Sequence, residues 1–367
     1  MKLRSRRRIP ASGRGRCHAA VRTLFCKGAV LANQCSPVVK PQFKGSSHKI
    51  ARRTFIQGTT SSVLAATTSG LLPRNSHAQQ APNSAGSEPA KVKAPPNACD
   101  CHHHIYDAAR FPVRAGARVV PNARVEDYRL LQKRVGTSRN IVVTPIGFPA
   151  KFDENLVTLD AIKQAGGNAR GVAIVSPAIS DAELTALHEG GVRGIRFSST
   201  GGSVPPAVAK EIEPLAKRVA DLGWHVQINI EAGPILELAE LWNRLPAKLV
   251  IDHMGHIRQP QGVDDPAFKY ILGLVDKGRT WVKLSITYDS SKDGPPGYAD
   301  VNRVGAAYVK AAPDRMVWGS NWPHPNETTK PDDALLFDQL AQWAPEERIR
   351  NRILVDNPAA LYGFPKT

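Results

Sequence analysis

The chain has 367 residues, a formal net charge of +17 and a pI near 9.9, values that usually indicate binding to nucleic acid or to an anionic membrane. The charge is confined to one end, because the first 97 residues carry 17 lysines and arginines against one acid, Glu88, whereas the remaining 270 residues carry 32 bases and 31 acids. The larger part of the chain is therefore nearly neutral, and we expect no nucleic-acid or membrane partner for it.

The first 78 residues have the order of an export signal. Arg52-Arg53 precedes a weakly apolar stretch over residues 58–72, which is too short and too polar to anchor in a bilayer, and Ser76 and Ala78 supply small residues behind it. This order resembles a twin-arginine signal cleaved after Ala78, which predicts contact with the twin-arginine export machinery and a periplasmic mature protein. About fifty residues precede the arginine pair, so an Arg-rich organellar transit peptide is the alternative.

The next segment, residues 79–96, is rich in proline, alanine, serine and glutamine. This composition predicts a flexible linker between the leader and a domain over residues 97–367.

From Pro96 onward, short aliphatic runs alternate eight times with amphipathic stretches. The runs predict buried strands at 98–103, 140–145, 171–175, 192–197, 225–230, 249–253, 281–285 and 316–320. The amphipathic stretches predict helices at 125–134, 154–164, 181–189, 206–222, 235–244, 267–277, 301–312 and 333–343. Eight strand–helix units indicate an α/β fold of the (β/α)8 TIM-barrel type. A doubly wound open sheet is the alternative, but no strand is followed by a glycine-rich phosphate loop.

The segment Asp100-Cys-His-His-His104 is the most informative short motif. His102 and His104 point to the same side of a strand by its two-residue period, whereas His103 faces away. Two converging imidazoles can hold a divalent metal or bind a carbonyl or carboxylate oxygen. A solvated histidine cluster is the alternative interpretation.

Further polar residues follow the other predicted strands, at the end where barrel enzymes build their active sites. These candidates are Arg196 and Ser198 on the fourth strand, His253 on the sixth, Ser285 and Tyr288 after the seventh, and Asn321 and His324 after the eighth. His225 opens its strand and is predicted to be a packed structural histidine. Asp252 is predicted to point away from His253 and to be a buried hydrogen-bond acceptor.

Five segments in the same order resemble the amidohydrolase-2 branch of the amidohydrolase superfamily, and within it the group of pyrone-dicarboxylate lactonase and D-galactarolactone isomerase. They are residues 100–104, 191–197, 222–227, 250–255 and 318–324. The resemblance covers residues 96–364. It implies a distorted (β/α)8 barrel with His102, His104 and His253 lining the site and a residue after the eighth strand completing it.

Two positions depart from that pattern. Hydrolytic relatives have an aspartate after the eighth strand as metal ligand and general base, but this chain has Asn321, and an amide neither accepts a proton nor offsets the charge of an ion. We therefore expect either no cofactor or one divalent ion, zinc or manganese, on His102, His104 and His253. The second departure is His256, which stands where the lactonase has an arginine that could bind a carboxylate with two parallel hydrogen bonds.

The predicted function is that of a lactonase-like enzyme acting on a small carboxylated lactone. The resemblance implies chemistry at His102, His104, His253 and Asn321, and the substrate is predicted to contact Arg196, Ser198, His256, Tyr288 and His324. Hydrolysis with a histidine as base and isomerisation by internal acyl or proton transfer both remain open. A barrel that binds sugar acids or lactones without catalysis is the alternative of a different class.

Overall fold

The computed structural model describes residues 80–112, 120–145, 152–199 and 202–365. All of them belong to a compact unit that spans residues 71–367. The predicted leader, including the arginine pair and the cleavage position, lies outside the described residues.

Eight parallel strands form one sheet in chain order. They are β1 Cys99–His103, β2 Arg139–Val143, β3 Ala169–Ala173, β4 Val192–Ser199, β5 His225–Ile230, β6 Lys248–Ile251, β7 Thr280–Leu284 and β8 Met316–Trp318. The last strand returns to the first, because the backbone N–H of Asn321 donates to His102 O at 2.7 Å and that of His104 donates to Trp322 O at 2.8 Å. The sheet is thus a nearly closed barrel, and the predicted TIM-type fold is confirmed.

Helices connect these strands. They are α1 Val125–Val135, α2 Leu156–Ala165, α3 Asp181–Glu189, α4 Pro206–Ala220, α5 Ala232–Glu237, α6 Ala239–Arg244, α7 Pro266–Asp276, α8 Thr287–Ser290, α9 Ala299–Ala311, α10 Asp333–Asp338, α11 Leu340–Trp343, α12 Glu347–Asn351 and α13 Asn357–Tyr362. The single helix predicted over 235–244 is two helices, because Leu238 leaves helical geometry at φ −101° and ψ 22°. The helix predicted over 333–343 is also two. Within the described ranges, no helix has both the length and the apolar character to cross a membrane.

The first helix shows how the periodic pattern leads to packing. Its buried residues Val125, Tyr128, Leu131 and Val135 recur at helical spacing and form one apolar stripe against the barrel. Gly136 ends the helix at φ 92°, a left-handed conformation that glycine adopts without steric cost.

Strand β1 contains an irregularity that the sequence did not indicate. Its pairing with β2 shifts between Asp100 and His103. Cys101 packs in an apolar cluster with Val250 and Val317 inside the barrel, yet the next residue, His102, also contacts interior groups. A β-bulge allows two consecutive side chains to face the same side. His102 therefore lies directly above the apolar layer of the barrel.

The bottom of the barrel is closed by apolar residues of the C-terminal segment, including Leu361, Tyr362 and Phe364. His225 lies here, fully buried, with its ring 5.3 Å from that of Tyr362 in an edge-on contact. Its two ring nitrogens have no hydrogen-bond partner within the described part of the chain. Burial lowers the pKa of His225 to about 3. These features agree with the structural role predicted for it.

The segment before the barrel differs from the flexible linker that its composition predicted. Ala81 and Ala90 are buried. Arg134 of α1 donates to Ser84 Oγ at 3.0 Å and to Ala85 O at 2.7 Å, and the indole N–H of Trp322 donates to Pro82 O at 2.7 Å. Residues 80–92 therefore form a strap that packs on the barrel. Small and proline residues permit this because they let the backbone lie close to neighbouring elements.

Candidate active site

A cleft of about 410 Å³ opens at the C-terminal ends of the strands. Its lining includes His104, Arg196, Asn229, His253, His256 and Asn321. A larger cleft of about 660 Å³ lies at the opposite face near Trp281. The smaller cleft is the candidate active site, because it lies at the barrel face that carries catalysis in this fold and collects most of the predicted residues.

The two imidazoles of β1 converge as predicted. Their Nε2 atoms lie 3.3 Å apart, and the rings meet edge to face. His104 donates from Nδ1 to Val143 O at 2.8 Å, so its Nε2 carries a lone pair directed toward His102. His103 faces outward, as predicted, and stacks on Tyr128 with ring centroids 3.6 Å apart.

Beneath the imidazole pair lies a buried network centred on Asp252. Its Oδ2 accepts hydrogen bonds from Arg196 Nε and Gln227 Nε2, both at 2.9 Å. Its Oδ1 lies 3.3 Å from His102 Nδ1 and 3.5 Å from Lys283 Nζ. Lys283 also donates to Gln227 Oε1 at 2.7 Å. Asp252 is a buried acceptor, as predicted, but the prediction that it points away from His253 is wrong, because donor atoms of the two side chains lie within 4.8 Å of each other.

Lys283 and Gln227 were missed at the level of sequence. A signal was present in the strand Thr280-Trp-Val-Lys-Leu284, where a lysine interrupts an apolar run that is buried throughout. A charged side chain inside a doubly covered strand is costly unless it is paired, so Lys283 implied a buried acid nearby.

Electrostatics make the imidazoles neutral near pH 7. Burial, together with the nearby Lys283 ammonium, lowers the pKa of His102 to about 3, although Asp252 opposes the shift. Burial also lowers the pKa of His104 and of His253 well below the usual value. Burial alone would raise the pKa of Asp252, but Lys283, His102 and Arg196 outweigh it and hold that pKa well below its ordinary range. The site thus combines neutral imidazoles with an ionised aspartate.

The turn after β6 brings two more imidazoles to the cleft. His253, Met254, Gly255 and His256 all have positive φ, a backbone conformation that is unfavourable for non-glycine residues and is concentrated at functional sites. His253 Nδ1 lies 2.8 Å from Ser285 Oγ, which leaves Nε2 available. The ring of His253 is 4.7 Å from that of His102 and 5.4 Å from that of His256.

His256 is held by two oxygen atoms at the cleft wall. Its Nε2 lies 2.8 Å from Asn229 Oδ1, and its Nδ1 lies 3.1 Å from Asp289 Oδ2. Asn229 in turn donates to Ser198 Oγ at 2.8 Å. The structure therefore places His256 and Asn229 at the cleft, whereas Ser198 lies behind Asn229.

Asn321 lines the cleft, and two predicted substrate contacts lie behind it. Its Nδ2 donates to Tyr288 Oη at 2.9 Å, and Tyr288 Oη is 2.9 Å from His324 Nδ1. His324 Nε2 is 3.1 Å from Asp333 Oδ2, and both of these side chains are fully buried. Tyr288 and His324 are not among the residues that line the cleft, and internal partners occupy their polar atoms; the substrate contact predicted for them stays a prediction.

The donor atoms of His102, Asp252 and His253 lie within 4.8 Å of one another, a group that could hold a metal ion. The surrounding charges fit a divalent cation poorly. Asp252 is the only carboxylate of this group, and the cationic side chains of Arg196 and Lys283 already lie 2.9 Å and 3.5 Å from its oxygens. Repulsion between buried cations is strong at these distances. Asn321 brings no charge to compensate.

A barrel with histidines and an arginine at the C-terminal strand ends defines a (β/α)8-barrel enzyme. The family model described as amidohydrolase matches residues 99–364, and the chain therefore belongs to the amidohydrolase family.

Named relatives of this family act on lactones. The chain is 37% identical over 283 residues to a 2-pyrone-4,6-dicarboxylate hydrolase of Comamonas testosteroni, covering 74% of this chain and 92% of the relative. It is 30% identical over 275 residues to a D-galactarolactone isomerase of Agrobacterium fabrum, covering 73% of this chain and 91% of that relative.

Solved structures agree with the fold. An apo structure of an Agrobacterium tumefaciens protein has a TM-score of 0.68 at 29% identity, covering 76% of this chain and 100% of that chain. A zinc-bound amidohydrolase of Burkholderia multivorans has a TM-score of 0.56 at 18% identity, covering 73% of this chain and 99% of that one. The second similarity shows the fold alone.

Proposed function

We propose that this protein hydrolyses the ring ester of a small carboxylated lactone without a metal cofactor. The observation that carries the proposal is the juxtaposition, at one cleft, of neutral buried imidazoles with a guanidinium group that has hydrogen-bonding capacity to spare. The lactone substrates named for the relatives support this class of substrate.

Arg196 is the proposed anchor for an oxyanion. Its Nε is bound to Asp252, whereas its Nη1 is buried and has no hydrogen-bond partner among the described residues. An unpaired buried donor is unfavourable, and a carboxylate or carbonyl oxygen in the cleft would satisfy it. Asp252 holds the guanidinium group of Arg196 from below, and Gln227 in turn donates a hydrogen bond to Asp252.

The imidazoles are proposed to carry the proton transfers. Arg196 Nη1 would polarise the lactone carbonyl, because Nε2 of His104 carries a lone pair and has no proton to donate. His102 and His104 would form the β1 side of the site. His253, with Nδ1 held by Ser285, would take the proton of the attacking water at Nε2 and return it to the ring oxygen as the ester bond breaks. The water oxygen forms the new bond to the carbonyl carbon, and the products are a carboxylate and an alcohol.

Isomerisation is the second candidate, and Asn321 favours it. The resemblance implies that hydrolytic members of the family have a carboxylate at this position to activate water, but the amide cannot accept a proton. In the isomerisation, a hydroxyl of the substrate would attack the ring carbonyl, so that a new ring ester forms as the old one breaks. This internal acyl transfer requires no activated water.

Turnover of a lactone panel by protein expressed from Gln79 onward tests the proposal. We expect conversion of at least one carboxylated lactone, with loss of conversion in Arg196→Gln. Incorporation of ¹⁸O from labelled water into the product carboxylate would identify hydrolysis, and a product without label would identify isomerisation. Tight binding of a lactone without any conversion would show a binding protein instead.

We also propose that residues 1–78 are a twin-arginine leader and that the mature protein is periplasmic. The support is the order of Arg52-Arg53, the apolar stretch and Ala78 in the sequence. The strap at residues 80–92 would then follow the processed terminus directly.

A further inference from the structure

Four polar side chains run in one line from the interior of the protein to the cleft. Asp333 Oδ2, His324, Tyr288 Oη and Asn321 Nδ2 are joined by contacts of 3.1, 2.9 and 2.9 Å. Asp333 and His324 are fully buried, Tyr288 and Asn321 are half-buried, and only Asn321 of the four lines the cleft. We call this set the β8 relay.

The direction of each hydrogen bond follows from the chemistry of the first member. An aspartate carboxylate is an acceptor, so His324 donates from Nε2, and a ring that carries this one proton keeps a lone pair on Nδ1. Tyr288 must then donate its hydroxyl proton to that lone pair. The phenol oxygen of Tyr288 is left as an acceptor, and the amide nitrogen of Asn321 donates a hydrogen bond to it.

We infer that the β8 relay orients the amide of Asn321 so that its oxygen, and not its nitrogen, faces the cleft. Tyr288, His324 and Asp333 are positioning residues in this scheme, since they act through Asn321. The inference rests on the proposed function for its consequence: the group opposite Asn321 must be a hydrogen-bond donor. In hydrolysis that donor is the attacking water, and in isomerisation it is the attacking hydroxyl of the substrate.

Other contacts hold the relay at both ends. The backbone N–H of Asn321 donates to His102 O at 2.7 Å, which fixes the backbone of residue 321 against β1. The backbone N–H of Asp333 donates to Ser84 Oγ at 3.3 Å, and Arg134 contacts Ser84 and Asp332. The strap therefore supports the buried end of the relay, which gives residues 80–92 a part in the geometry of the site.

The proton positions can be read directly by ¹⁵N NMR of the full mature chain with labelled histidine. The spectrum of His324→Gln, which lacks one ring, assigns the signals of His324. We expect the proton on Nε2 and a bare Nδ1. A proton on Nδ1 would overturn the inference, because Tyr288 would then have to donate toward Asn321. This measurement is independent of any catalytic activity.

A double-mutant cycle tests the catalytic consequence. Tyr288→Phe frees the amide to rotate, and we expect kcat/KM on a converted lactone to fall about tenfold, the scale of one misdirected hydrogen bond. Asn321→Asp presents an oxygen in either orientation, so Tyr288→Phe in that background should cost less than about twofold. Equal losses in both backgrounds would show that Tyr288 has a merely structural role.

The two measurements separate the hypotheses. If the His324 proton lies on Nε2 but no lactone is converted, the proposed function fails and the orientation of Asn321 stands. If lactones are converted but the proton lies on Nδ1, the relay fails and the proposed function stands.

Discussion

Lys283 Nζ lies 3.3 Å from His102 Nδ1, and both side chains are fully buried at the centre of the barrel. A lysine here is compatible with folding because Asp252 lies within 3.5 Å of it and Gln227 accepts its hydrogen bond. The imidazole pair of His102 and His104 therefore lies on top of a network in which the buried charges compensate one another.

This network predicts that substitutions of its members lower the free energy of unfolding by unequal amounts. Asp252→Asn leaves Arg196 and Lys283 without a counter-charge and should lower the free energy of unfolding by about 3–5 kcal/mol. Lys283→Met should cost less, because Asp252 keeps its bonds to Arg196 and Gln227. Urea unfolding monitored by circular dichroism measures both.

A matched control for the network is the exposed ion pair between Arg244 and Glu213. Arg244→Gln should change the free energy of unfolding by about 1 kcal/mol or less, as exposed pairs do. A larger loss for Lys283→Met than for Asp252→Asn would contradict the central role of the aspartate.

The two imidazoles of β1 should matter more to catalysis than the histidine between them. We expect His102→Ala and His104→Ala each to lower kcat/KM by roughly a hundredfold or more, the scale for one oriented acid–base or polar group. His103→Ala should be milder, because that ring packs on Tyr128 outside the barrel. Steady-state kinetics of the three variants measure these changes. Similar losses of kcat/KM at all three positions would show that the side-chain orientations assigned along β1 are wrong.

Asn321 leads to a prediction about whether the activity needs a metal ion. We expect the purified protein to contain little stoichiometric metal and to keep its activity in chelator, because Lys283 and Arg196 already neutralise Asp252. Asn321→Asp adds a carboxylate near the imidazoles and should raise the affinity for zinc or manganese. Elemental analysis and titration with Zn²⁺ test both statements. One tightly bound equivalent in the unmutated protein, lost together with activity on chelation, would contradict metal independence.

The buried histidines predict a loss of stability in acid. His102, His103 and His225 have pKa values of about 3 in the folded state, so the unfolded chain, with values near 6.5, binds more protons between these limits. Stability should therefore fall as the pH decreases from about 6.5 toward 3, with each such histidine adding a slope of about 1.4 kcal/mol per pH unit.

One buried acid works in the opposite direction. Burial raises the pKa of Asp100 to about 6, so this group favours the folded state at low pH and offsets part of one histidine's effect. His103→Phe keeps the stacking on Tyr128 and should reduce the slope by about 1.4 kcal/mol per pH unit. Denaturant unfolding at several pH values measures the slope, and an unchanged slope would be inconsistent with this origin.

The pH dependence of activity follows from the same burial. An unshifted histidine would give an acidic limb near pH 6.5, but His102 has a pKa of about 3 and burial also lowers that of His253. We expect kcat/KM to stay nearly constant down to about pH 5 within the range where the protein is folded. A midpoint near pH 6.5 would identify a more exposed base.

Export remains a prediction from the sequence. Changing Arg52 and Arg53 to lysine should leave unprocessed precursor in the cytoplasm, because a twin-arginine signal requires the pair. Cell fractionation with immunoblotting measures this. Wild-type amounts of the double variant in the periplasm would exclude the twin-arginine interpretation.

The amino-acid sequence by itself determined the barrel and the two convergent imidazoles. Strand and helix periods are local properties of the chain, so eight alternating units could be identified without any knowledge of contacts. The orientation of His102 and His104 also follows from the two-residue period of one strand.

Only the tertiary structure decided how those groups are held. Lys283 and His102 are separated by 181 residues, and no local pattern reports which distant strand supplies a counter-charge. The bulge in β1, the packing of residues 80–92 and the β8 relay likewise depend on long-range contacts. The composition of residues 79–96 predicted a flexible linker. Composition reports the tendency of a chain to be flexible, but it does not report the surface on which that chain packs.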